Sequence, residues 1–136
     1  MMDKINDFVA EALGHARVVR KNLDGKVIPL LQPRHRAFAS EVSRRIGARS
    51  IMTETFLRDV EAFIAILGEQ AERETSYAWR GHEHDPDCGY LVPFRSENAS
   101  EFLTLIAALA ELATAIGVAL DAVEAYSMAN ALFERP

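Results

Sequence analysis

Cysteine is almost absent from this chain: Cys88 stands alone, which excludes an internal disulfide and any zinc site built on paired cysteines. The N-terminal stretch MMDKINDFVAEALGHARVVRKNL carries acids near its start and lacks the continuous apolar run of a secretory leader. A reducing cytoplasm is therefore the expected compartment. Catalytic signatures are missing as well. There is no G-x-S-x-G, no phosphate-cradling glycine loop and no H-E-x-x-H, and Glu69, Glu72 and Glu83 do not form the E-x-x-H pattern of carboxylate di-metal bundles. Beside Cys88, Asp85 and Asp87 oppose a thiolate by charge, so cysteine catalysis is not expected.

What is present describes one globular domain spanning 1–136, with 49% apolar and 26% charged residues. The net charge of −5 hides an asymmetry: residues 1–49 hold ten Lys/Arg and five Asp/Glu, the remainder five and fifteen. Such a split suits a nucleic-acid surface on the basic half, or two halves that pack against each other or against a second copy.

Hydrophobic spacing predicts an all-α fold, a bundle of about four principal helices. The first runs from Asp3 to Leu23, with Ile5, Phe8, Val9, Ala12, Leu13, Ala16 and Val19 on one face and Gly25 as a left-handed cap. Pro29 and Pro33 then predict an extended strap over residues 26–32. A second helix starts at Pro33 and ends at Gly47, with Phe38, Val42 and Ile46 inward. A third, capped by Ser50 or Thr53, reaches Glu74 with Phe56, Leu57, Val60, Phe63, Ile64, Leu67 and Ala71 on one face.

Residues 75–97 hold two glycines and two prolines without a helical period, and read as a long irregular loop with a short extended piece at Tyr90–Val92. Asn98 and Glu101 resemble a capping box for a fourth helix reaching Phe133, kinked or broken near Gly117. Its segment Phe102–Leu120 is nineteen residues with one charge, Glu111. A membrane span is not expected, because Glu111 sits at the centre and no Lys/Arg cluster flanks the segment. This helix is apolar over more of its circumference than a small bundle needs, which predicts a homodimer through it.

Three sets of residues carry functional expectations. His82, His84, Cys88 and Asp85 offer imidazole, thiolate and carboxylate donors within seven residues, a combination suited to a transition metal such as zinc. His15 and His35 sit alone. The span Phe38–Val60 has the outline of a helix-turn-helix, with Arg34, Arg36, Arg44, Arg45 and Arg49 placed to meet phosphates, although Glu54 and Asp59 oppose entry of its second helix into a groove. The loop gathers Tyr77, Trp79, Arg80, Tyr90 and Phe94, the residue types that dominate binding hot spots. With no catalytic constellation, the leading expectation is a non-enzymatic interaction or regulatory module. Metal binding and nucleic-acid binding are the alternatives.

Overall fold

The computed structural model describes residues 2–134, and the side chains of 2–132. Among these residues are four α-helices, and the order is α1 (Met2–Asn22), α2 (Pro33–Gly47), α3 (Glu54–Arg73), β1 (Thr75–His82), β2 (Asp85–Arg95) and α4 (Glu97–Glu134). The fold is mostly helical, but it is not all-α. The stretch read as a loop is a two-stranded antiparallel hairpin.

The helical faces follow the hydrophobic period. On α3, Phe56, Val60, Phe63, Leu67 and Ala71 are buried, and on α1 Ile5, Ala12, Ala16 and Val19 are buried. Both helices pack along the first two-thirds of α4, which contributes Phe102, Leu105, Leu109, Leu112 and Ile116 to the same core. The shorter α2 closes this core with Ala39, Val42 and Ile46, and Phe38 meets Phe63 edge to face at 5.8 Å. Arg45 ties α2 to α3: it bonds Asp59 at 2.7 Å while its guanidinium lies 4.7 Å above the Phe56 ring.

Four local expectations are corrected. Gly25 does not cap α1, because no glycine among the described residues has a positive φ; the chain continues into a π-helical turn, Leu23–Val27. The strap is helical too: Pro29 lies in the first turn of a 3-10 segment, Ile28–Leu30, where its missing N–H costs nothing. Arg36 holds this segment by donating to the carbonyls of Leu31 and Pro29. Ser96, rather than Asn98, caps α4, its hydroxyl accepting the Ala99 N–H at 3.1 Å. Finally, α4 runs unbroken through Gly117. Thr53 caps α3 as expected, accepting the Phe56 N–H at 3.0 Å.

No residue of α4 beyond Ala119 is buried among those described. At 38 residues α4 is about 57 Å long, nearly twice α3. Val123 continues the seven-residue spacing of Phe102, Leu109 and Ile116 but is 40% exposed.

Candidate functional site

The hairpin stands on the end of the bundle where α3 finishes and α4 begins. Its attachments are few. Thr75 Oγ1 donates to the Ala71 carbonyl at 2.7 Å, the Tyr77 hydroxyl donates to Glu72 at 2.8 Å, and Ser96 joins Glu74 across the base. Beyond the base, the ribbon contacts the helices little.

Register assigns its faces. Directly paired residues share a face of an antiparallel ribbon, and successive residues alternate. The pairs Tyr77–Pro93 and Trp79–Leu91 lie on one face; Ser76–Phe94, Ala78–Val92 and Arg80–Tyr90 lie on the other. The five expected partner-binding residues are thus divided, with Tyr77 and Trp79 opposite Arg80, Tyr90 and Phe94. Leu91, which sequence reasoning did not single out, completes the first face. Neither face is covered. Tyr77, Trp79, Tyr90, Leu91 and Phe94 are 49, 54, 59, 61 and 48% exposed, a concentration of large apolar surface that marks an interaction site. Both strands of the ribbon also keep a free edge.

The tip explains why the hairpin was hard to read. Gly81 pairs with Gly89, and His82 with Asp85, so Pro86, Asp87 and Cys88 form a bulge that interrupts the register. A Cβ on Gly89 would run into the backbone carbonyl of Arg80, so the close approach of the strands requires glycine there. Trp79 pins the bulge by donating its indole N–H to the Pro86 carbonyl at 3.1 Å. His82, His84, Asp85 and Cys88 are all exposed on this tip. Among the described residues, no three His, Cys, Asp or Glu are grouped to hold a metal ion.

The arginines expected to meet phosphates are mostly occupied within the chain. Arg34 bonds Gln32 and lies 3.7 Å from Glu69; Arg36 holds the 3-10 carbonyls; Arg44 is bidentate to Glu41 at 2.5 and 2.8 Å; Arg45 is tied to Asp59. The Arg44–Glu41 hydrogen bond raises the arginine's pKa and lowers the carboxylate's. Arg49 alone of the five makes no side-chain hydrogen bond or ion pair among the described residues. The second helix of the supposed helix-turn-helix, α3, buries one face in the core and exposes Glu54, Glu61, Glu69 and Glu72 on the other.

His15 is not alone. Its Nδ1 lies 3.6 Å from Glu111 and its Nε2 3.8 Å from Glu11, in a groove of about 450 Å³ between α1 and α4. Phe8, Ala110, Ala115 and Val118 line the apolar part of this groove. Glu111 is distant in sequence, and only the antiparallel packing of α1 on α4 brings it there.

By length and composition, one helix among the described residues is apolar enough to cross a membrane: Glu97–Leu132, with mean hydropathy 2.1 and 33% of its most apolar window buried. A core helix passes the same test. Compared with known proteins, the chain matches no family model, no curated protein and no solved structure.

Proposed function

We propose that this protein is a non-enzymatic docking module whose working element is the β1–β2 hairpin, and whose partner is a polypeptide with an apolar, basic segment. The observation that carries this reading is the exposure of five large apolar side chains on both faces of one ribbon. A two-stranded ribbon is marginal in water by itself, so a covering chain gains both its faces and its free edges. Glu83, Asp85 and Asp87 gather at the tip and, like Arg80 and Arg95 on the strands, form no ion pair among the described residues; the acidic tip favours a basic segment at that end of the partner by charge complementarity.

A photo-crosslinking amino acid at Leu91, with Ala65 on the outer face of α3 as control, tests this in cells. The expected result is a heavier adduct from position 91 only, whose captured polypeptide, once purified, binds the purified chain. It should bind the Trp79→Ser/Tyr90→Ser variant at least about 30-fold more weakly. Absence of any adduct overturns the reading, and an adduct of exactly two copies replaces it with self-association.

Self-association has its own support along α4. Ala107 and Ala110 are small and exposed, whereas Met128 and Leu132 are large and 62 and 71% exposed. Two copies paired antiparallel about the Val118–Asp121 turn place the large residues of one over the small residues of the other.

A further inference from the structure

We propose that Arg17, Arg20 and Arg49 form a binding pocket for a small phosphate monoester. The three arginines line one depression of about 250 Å³ between α1 and the end of α2, walled by Leu13, Ala16 and Ile46. Its charge is only partly compensated. Arg20 lies 3.5 Å from Asp24 and donates to Ser43 at 3.4 Å, while Arg17 and Arg49 have no carboxylate partner among the described residues. Three guanidinium groups therefore face one carboxylate.

Two positions flanking Ala48 carry the less favourable residue, and the pocket accounts for both. The end of α2 is a Schellman turn: the Ser50 N–H donates to the Arg45 carbonyl at 2.9 Å and the Arg49 N–H to the Ile46 carbonyl at 3.0 Å. Arg49 occupies the left-handed position of this turn, with φ 58°, where glycine is the easier choice. Gly47 does the reverse. It lies inside the helix with an ordinary φ, where alanine is favoured. A Cβ there would stand 2.6 Å from the Arg20 guanidinium, so the glycine makes room for Arg20 to lie across the helix end. Arginine in the glycine position and glycine in the alanine position together present guanidinium groups to one pocket.

Guanidinium forks match phosphate oxygens in geometry as well as charge, and the Leu13, Ala16 and Ile46 wall suits the organic part of an ester. The depression, about 250 Å³, is on the scale of a small molecule.

Titration calorimetry of the full chain with inorganic phosphate, phenyl phosphate and a short DNA duplex, at matched ionic strength, tests the pocket. Phenyl phosphate is expected to bind tighter than inorganic phosphate. Arg49→Gly should weaken it at least tenfold while melting at the same or a higher temperature, because the turn then holds its preferred residue. Gly47→Ala keeps every charge yet displaces a flexible guanidinium, and should weaken binding several-fold. Arg58→Gln, on exposed α3, should leave it unchanged. The proposal is overturned by no binding of either phosphate compound at millimolar concentration. It is equally overturned by unaltered affinity in Gly47→Ala and Arg49→Gly, or by tighter, salt-sensitive binding of the duplex.

Discussion

The Tyr77 hydroxyl donates to a Glu72 carboxylate oxygen at 2.8 Å, tying the first face of the hairpin to the last turn of α3. The same bond, reinforced by partial burial and by the charge of Glu72, raises the Tyr77 pKa above the ordinary tyrosine value, against a smaller opposing effect of Arg95.

The neutral phenol is the donor, so the folded state holds this proton more tightly than the unfolded chain does. The tie is therefore fully present below the ordinary tyrosine pKa of about 10 and is lost as pH rises through the higher folded value. Spectrophotometric titration should show the tyrosinate transition missing from Tyr77→Phe lying above the ordinary tyrosine value. Glu72→Gln should bring it down. Coincident transitions in the wild type and Glu72→Gln would remove the bond from the account.

Gly89 is required by a backbone contact, since an added Cβ would meet the Arg80 carbonyl and the Gly81 Cα. Gly89→Ala should therefore distort the ribbon while leaving the helices, which it scarcely touches, in place. Trp79 emission and near-UV circular dichroism should change. The melting temperature of the helical signal should move by less than about 4 °C, the shift of about 1 kcal/mol in a chain of this size. Loss of the helical signal would show that the hairpin and bundle fold as one unit.

Gln70 is 4% exposed on α3, and its amide nitrogen has no hydrogen-bond partner among the described residues. A buried donor without an acceptor costs about 1–3 kcal/mol, so Gln70→Met, of similar length and apolar, should stabilise the chain by about 1–2 kcal/mol in urea unfolding. A loss of stability would mean that the amide is satisfied in solution.

Pairing through α4 predicts that the wild type sediments as a dimer at micromolar concentration and that Met128→Lys/Leu132→Lys sediments as a monomer with unchanged helicity. A monomeric wild type would contradict it.

The helices were legible because burial on a curved surface imposes a 3.6-residue period, and the inward sets containing Phe56, Val60, Phe63 and Leu67 or Phe102, Leu109 and Ile116 obey it. Val123 obeys it too and is exposed, because the period marks a face of a helix and not how far along that face burial continues. The hairpin was hidden for a different reason. Strands announce themselves by alternation of apolar and polar residues, and this ribbon carries apolar side chains on both faces with its glycines paired at a bulge. Its aromatic residues were nevertheless recognisable as candidates by type alone. The environments of His15 and Arg20 depend on Glu111 and Gly47, contacts made only when α1 meets α4 and α2, and no local pattern encodes them.

The docking account is tested most directly by the affinity of the polypeptide captured at position 91 for the purified wild type and for Trp79→Ser/Tyr90→Ser. Hot-spot residues cost about 2 kcal/mol or more on truncation, so the account, which gives Trp79 and Tyr90 that role, predicts weakening of at least about 30-fold. Arg17→Gln/Arg49→Gln, remote from the hairpin, should bind as the wild type does. Equal affinity for the wild type and the Trp79→Ser/Tyr90→Ser variant would contradict the central claim.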